Sequence, residues 1–370
     1  MNDSFFNDFP TDITKKILEL TPSIISQARG ITGNIIQHRE HDRMVLIDKG
    51  LIKQEGYLEP FIGYGYAVDG SCILNKKSFG DLVFTAAIKA PFGNVKIGDN
   101  DIENLKENMV SVNIVPRNRS NESLMKSLMA LMELNIAHSL NADFVMLDGS
   151  FFSYIMSTTN GRKDVLQIND NNNALVGDFN KLTIGFEDKI VGILENPQYI
   201  GFPKYSLSND LSYLNNKFNL SLKCSLETDT KSNLSYLLEE GEYLIPIRNH
   251  SSSEFYSNKL DGLSVNKIRS KYIMDMISDI HSIYYKPWPW IPAIRIDTVG
   301  FPNMDRLKSI LSCVKDSTKY HGIFEPYPLF LTDRWAKGIS SGASAVIDSS
   351  AISCIDDVNL KMLFAMSYRT

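Results

Sequence analysis

One short phrase occurs twice in this chain, and both copies follow a run that reads as a buried strand. Tyr64-Gly65-Tyr66-Ala67-Val68 leads into Asp69-Gly70-Ser71, and Phe144-Val145-Met146-Leu147 leads into Asp148-Gly149-Ser150. Each copy puts a carboxylate at the carboxyl end of a strand, where a glycine frees the backbone to turn away. Two aspartates so placed converge only if their strands are near neighbours in one sheet. Once together they repel one another, and a divalent cation is the simplest remedy. This points to metal-dependent chemistry on a charged substrate.

The surrounding pattern predicts how the two strands meet. Strand-like runs at Tyr64 to Leu74, Leu82 to Ala90 and Met109 to Val115 are punctuated by Pro91-Phe92-Gly93-Asn94 and Pro116-Arg117-Asn118. A helix from about Asn121 to Leu140 follows, then the strand Phe144 to Leu147. Strand, strand, strand, helix, strand is the opening of an RNase H-like fold, in which the first and fourth strands lie side by side. The expected class is therefore α/β: an RNase H-like mixed sheet flanked by helices, with an N-terminal helical segment and a central insertion. The segment covers residues 1–55 and the main domain 56–370, with a less regular insertion at about 155–265.

Within the first segment, Pro10-Thr11-Asp12 starts a helix over residues 10–40. Ile13, Ile17, Leu18, Leu20, Ile24 and Ile25 form an apolar face for packing, or for a dimer or partner contact. The insertion carries the polar tract Ile168 to Asn173, helices, and a strand near Tyr243 to Ile247. Beyond it come a strand at Ala293 to Asp297, a helix near 304–316 and a helix at about 329–338.

Composition removes several classes of function. The net charge of −5 and pI near 5.8 argue against holding nucleic acid by bulk electrostatics, and suggest that a partner delivers the substrate. No apolar run approaches the roughly 18 residues of a membrane span. The start lacks a signal-peptide pattern, and four scattered cysteines without a CxxC pair suit reduced thiols, so a cytoplasmic location is expected. There is no phosphate loop to use ATP and no G-x-S-x-G elbow. His38, His41, His250 and His281 show no metal-ligand spacing, His138 reads as a core-edge residue near a helix face, and His321 precedes the Glu325 segment, where it could approach phosphate.

A metal-dependent phosphodiesterase gathers carboxylates around one or two ions, and oxygen ligands suit Mn²⁺ or Mg²⁺. Asp69 and Asp148 are the first candidates as catalytic metal ligands. Glu133, among apolar neighbours on the helix before the second strand, is the third. Asp333, near the start of the last strong helix, is the fourth, and Glu325 is a weaker candidate in a loop. Arg295, Lys271, Arg269 and Arg334 are candidate phosphate contacts, with Ser71 and Ser150 at the strand ends. The run Tyr284 to Trp290 is either a base-stacking surface or a hydrophobic connector.

In their order, these residues resemble the NurA nucleases. Ala67-Val68-Asp69-Gly70-Ser71, Met132-Glu133-Leu134, Leu147-Asp148-Gly149-Ser150, Ile294-Arg295-Ile296-Asp297 and Glu325-Pro326-Tyr327-Pro328-Leu329 through Asp333-Arg334 carry the resemblance. It spans residues 60 to 370, thinly across 155–240. It implies an RNase H-like core, a toroidal homodimer, Mn²⁺-dependent DNA cleavage with 5′–3′ exonuclease and single-strand endonuclease action, and a HerA-type hexameric ATPase as partner. DNA end processing or phage defence is the implied setting. The chain departs from the pattern where the family has Ala-His-Arg, since Thr332-Asp333-Arg334 stands there, and where Glu325 replaces a tyrosine. A non-catalytic adaptor docked on a HerA-type ring, and an enzyme acting on RNA, are the alternative readings.

Overall fold

Alternation of side chains along the strands decides what covers each face of the sheet. The computed structural model describes residues 11–94, 109–170, 173–204, 209–224, 229–248 and 267–365; His250 lies outside them. Strands β2 (Tyr64–Lys77), β3 (Gly80–Gly93) and β4 (Met109–Val115) form an antiparallel meander. Helix α1 (Thr11–Asp48) and strand β1 (Ile52–Gln54) precede it. Helix α2 (Asn121–Ser139) then carries the chain back to β5 (Phe144–Leu147), which lies parallel to β2. The expected opening of an RNase H-like sheet is present.

Three helices follow: α3 (Phe151–Ile168), α4 (Ala174–Thr183) and α5 (Phe186–Glu195). They lead to β6 (Tyr199–Gly201), parallel to β5. The remaining elements are α6 (Asp210–Phe218), α7 (Thr230–Leu237), β7 (Glu242–Arg248), α8 (Lys267–Ser278), β8 (Ile280–Lys286) and β9 (Ile294–Val299). Helices α9 (Met304–Ser317), α10 (Tyr327–Cys354) and α11 (Val358–Ala365) complete the chain. The nine strands among the described residues join one mixed sheet in the order β1-β7-β8-β9-β6-β5-β2-β3-β4. Because β1 pairs with β7, the chain enters the sheet at Ile52, just before the boundary read at residue 55.

Both faces are covered around β2, β5 and β6. Val68, Val145 and Leu147 point into a core built with α2, α3, α4 and α5. Ala67, Phe144, Met146 and Ile200 point the other way, onto Leu307, Ile310, Leu311 and Val314 of α9 and Leu329 of α10. This explains why β5 reads as an unbroken apolar run: it is buried on both sides.

Several expectations are corrected. Strand β6 was absent from the sequence reading because three residues carry no period, yet it lies at the centre of the sheet. The run Tyr284 to Trp290 divides: Tyr284 and Tyr285 are fully buried in β8, not a stacking surface. Only its end is partly exposed, where Trp288 stacks on Trp290 at 5.2 Å and Trp290 on His321 at 4.1 Å between ring centres. Helix α10 runs far past residue 338 and packs across β2 and β3; its many Ser, Ala and Gly residues hide its length from an apolar-period search. Helix α1 also extends past residue 40, and its two halves differ. Leu46 packs against β1, α6 and α7, whereas Ile17, Leu18 and Ile24 are more than half exposed.

The buried tyrosine in β8 gives a direct check. The Tyr284 hydroxyl donates to the buried Asp210 carboxylate at 2.7 Å. Tyr284→Phe is expected to lower stability by about 2 kcal/mol, because a buried acceptor loses a donor. Denaturant unfolding measures this, and an unchanged midpoint would contradict the core placement.

Candidate metal centre

The parallel register of β2 on β5 pairs Val68 with Leu147, so Asp69, within β2, and Asp148, just past the end of β5, lie side by side. The Asp148 backbone N–H donates to the Val68 carbonyl, which ties the two chain positions together. Asp333 reaches them from the second turn of α10. One carboxylate oxygen from each of Asp69, Asp148 and Asp333 lies within 4.8 Å of the other two. Three of the four main sequence candidates, the first, second and fourth, thus meet at one point.

The two Asp-Gly-Ser copies do different work, which corrects the expectation of two matching turns. Strand β2 runs straight through Gly70 and Ser71 to Lys77, with Gly70 paired to Ala87. What Gly70 supplies is room. A Cβ there would lie 2.4 Å from Glu133 Oε1 and 2.6 Å from Met129 Cγ. Gly149, in contrast, has φ near +130° and does end its strand. Ser150 then caps α3, its hydroxyl accepting from the Ser153 N–H, so its structural task is a helix cap rather than a free substrate contact. Ser71 is a half-buried strand residue paired with Ala86.

Glu133 does not join the three-carboxylate group. Its side chain comes from α2, on the opposite side of the sheet from α10, and is buried against Gly70. Burial first, then the charges of Asp69 and Asp148, holds its carboxyl well above the usual range. The Tyr154 hydroxyl approaches it without completing a hydrogen bond. Asp69 is pushed up to about 8 by burial and by Asp148, with the Gly70 N–H and Lys204 acting in the opposite direction. Its Oδ1 accepts from the Gly70 N–H at 2.8 Å, while its buried Oδ2 has no hydrogen-bond partner. A buried oxygen without a hydrogen-bond partner, on one of three carboxylates gathered at one point, is a donor set suited to a hard divalent cation.

Lys204 was missing from the sequence candidates. It follows β6, where the Phe202 N–H donates to the Leu147 carbonyl and so brings this segment alongside Asp148. Its ammonium lies 2.8 Å from Asp148 Oδ2 and 3.0 Å from Glu325 Oε2. Glu325 therefore reaches the centre through a lysine. The available signal was a Pro203-Lys204 pair after an apolar strand end, but the strand itself was too short to recognise.

The basic candidates separate. Arg295 is buried in β9 and directs Nε and Nη2 onto Asp297 at 2.8 and 3.2 Å, a bond pair inside the sheet rather than an open phosphate contact. Lys271 is exposed on α8, a helix that packs against α5, and Arg269 on the same helix pairs with Asp188. Arg334 is exposed beside Asp333, its guanidinium over Phe330 at 5.7 Å. Lys337, one turn along α10, sits 2.8 Å from Asp333.

No protein-family model matches the sequence, and no curated protein matches it. Solved structures do match the fold. The NurA nuclease from Sulfolobus solfataricus aligns with a TM-score of 0.60 at 14% identity, over 94% of this chain and 99% of that one. A NurA structure bound to dAMP and manganese aligns with a TM-score of 0.56 at 13% identity, over 92% and 99%. A NurA structure with manganese gives 0.53 at 12% identity, over 92% and 100%.

Two outcomes follow from the electrostatics of the centre. An acid whose folded pKa is raised contributes stability below its unfolded value and loses it as pH rises toward the folded one. In EDTA, wild-type stability is therefore expected to fall between about pH 4 and pH 8, and Asp69→Asn to flatten that slope and gain about 2 kcal/mol at pH 7. Denaturant titrations across pH measure both; parallel curves for the two proteins would contradict the repulsion. Separately, Gly70→Ala should cost about 2 kcal/mol through overpacking against Glu133 and Met129, read as a shift in thermal midpoint. Across almost its whole length, this chain has the fold of the NurA nuclease structures.

Proposed function

We propose that this chain is a divalent-metal-dependent deoxyribonuclease that hydrolyses phosphodiester bonds. The observation that carries the reading is the convergence of Asp69, Asp148 and Asp333, with the buried Asp69 Oδ2 left without a partner. The fold it shares with a manganese-bound and dAMP-bound NurA structure supports Mn²⁺ as the ion and a nucleic acid as substrate, with Mg²⁺ as the second choice.

Asp69, Asp148 and Asp333 would hold the ion. When bound, it would supply Lewis-acid polarisation of the phosphodiester and activation of water for attack. The chain's own residues do the rest. Gly70 and the β2–β5 register set the spacing of the carboxylates, Lys204 screens Asp148, and Glu133 backs the site from below the sheet. Arg334, exposed beside Asp333, stands where it can meet a backbone phosphate.

The finer reading is action on DNA ends or single strands, as a homodimer working with a HerA-type hexameric ATPase, in end processing or phage defence. The acidic balance and the absence of an ATP-binding loop support reliance on a motor. The adaptor reading rested on the altered late motif, with Asp333 standing where the family has histidine and Glu325 where it has tyrosine. That motive weakens, because the Asp333 carboxylate takes its place with the other two.

The expected outcome is Mn²⁺-dependent degradation of DNA by the purified chain, abolished in Asp69→Ala and in Asp148→Ala with the circular dichroism spectrum unchanged. Single- and double-stranded DNA and RNA are compared, with and without a HerA-type ATPase. Full activity in both variants would remove the site assignment. No cleavage under any condition, with ATPase binding intact, would return the adaptor reading.

A further inference from the structure

Four aromatic rings from separate segments line one cavity of about 340 Å³ at the start of α10. Phe61 comes from the segment before β2, Phe92 from the end of β3, Tyr320 from the connection after α9, and Tyr327 from the first turn of α10. The rings stand in two pairs, Phe61 with Phe92 at 6.1 Å and Tyr320 with Tyr327 at 4.6 Å between ring centres. None of the four is fully buried, and Tyr320 is 45% exposed. A packed core leaves no void of this size, so these rings do more than fill space. The volume lies at the lower end of the range for pockets that take a small molecule, about 300–1,000 Å³. Polar groups are few: Lys319 and Asn94 line the cavity from exposed positions, and Asp316 is committed, its Oδ2 accepting from the Phe61 N–H at 2.7 Å.

Helix α10 ties this cavity to the carboxylates. Tyr327 opens the helix and Asp333 follows six positions on, about 9 Å along the axis. Between them the Phe330 ring lies 6.3 Å from that of Tyr327, and the Arg334 guanidinium lies over Phe330 at 5.7 Å. A cation therefore stands at each end of a short line of rings, Lys319 at the cavity and exposed Arg334 beside Asp333. Next to Tyr320, exposed His321 extends the aromatic surface, stacked on Trp290 at 4.1 Å. Accessible aromatic faces with cations along the same path are how proteins hold single strands. Bases in a duplex are paired and stacked on one another, so their faces are closed to such rings. At about 3.4 Å per stacked nucleotide, the cavity stands roughly two to three nucleotides from a phosphate at the carboxylates.

We propose that the cavity between Phe61, Phe92, Tyr320 and Tyr327 is a binding subsite for an unpaired base of a strand whose phosphodiester lies at the carboxylates. This rests on the nuclease reading above and specifies its substrate as an unpaired strand. Tyr320 and Tyr327 supply the stacking faces, and Lys319 meets the adjoining phosphate.

Fluorescence anisotropy of the purified full chain in EDTA tests the subsite apart from catalysis. The probes are a labelled oligothymidylate, a strand of the same length built from abasic deoxyribose phosphates, and a duplex of that length. The wild type is expected to bind oligothymidylate about 10-fold more tightly than the abasic strand, the effect of one base–aromatic stack. Tyr320→Leu keeps an apolar side chain and removes the ring. It is expected to lose that factor on oligothymidylate alone, with Tyr320→Phe restoring it, and Tyr327→Leu to behave as Tyr320→Leu does. Should Tyr327→Leu fail to fold, the exposed Tyr320 and the wild-type comparison still decide. Equal wild-type affinity for the oligothymidylate and abasic strands overturns the proposal, as do equal losses by Tyr320→Leu on all three probes. A preference for bases that survives in Tyr320→Leu does the same. Absence of Mn²⁺-dependent cleavage, with a Tyr320-dependent preference for bases intact, overturns the nuclease reading and supports the subsite.

Discussion

The parallel pairing of β2 with β5 is the constraint on which the site depends. It sets Val68 opposite Leu147, and everything at the centre follows from that register. A one-residue slip in β5 would turn Asp148 toward the other face and break the convergence with Asp69. The register is held by burial on both sides: Ala67 and Met146 enter one core, Val68 and Leu147 the other. Hydrophobic alternation therefore aligns two carboxylates that electrostatics alone would separate.

The cost of that alignment is visible in the carboxyls themselves. Burial and the charge of Asp148 hold Asp69 away from its ordinary ionisation, burial and the charge of Asp69 do the same to Glu133, and one oxygen of Asp69 goes without a partner. Groups in such surroundings cluster where a cation or a reaction is to be accommodated. Lys204 relieves part of the repulsion from the segment after β6, so three adjacent parallel strands, β2, β5 and β6, bring one charged residue each to the centre.

Much of this was legible from residue order, and the reasons are specific. Asp69 and Asp148 stood out because each follows a strand-like run, and the helix between those runs implied a parallel return. Asp333 was found by its place in a late motif, and it lies within reach of both. Other residues were misread or left open where local pattern carries two meanings. Tyr284 and Tyr285 read as either a stacking surface or a hydrophobic connector and are core, because a run buried on both faces has no polar alternation. Ser150 looks like a substrate contact and is a helix cap. Arg295 looks like a phosphate ligand and is committed to Asp297.

The two Asp-Gly-Ser phrases mark the division most clearly. By itself the sequence determined that two carboxylates emerge from neighbouring strands of an RNase H-like sheet, because strand period and element order are local properties. Only the tertiary structure decided that Gly70 makes room for Glu133 while Gly149 turns the chain. It alone placed Lys204 between Asp148 and Glu325, since those contacts join segments far apart in the chain. Distances between remote segments are set by how whole faces pack, and no local pattern encodes them.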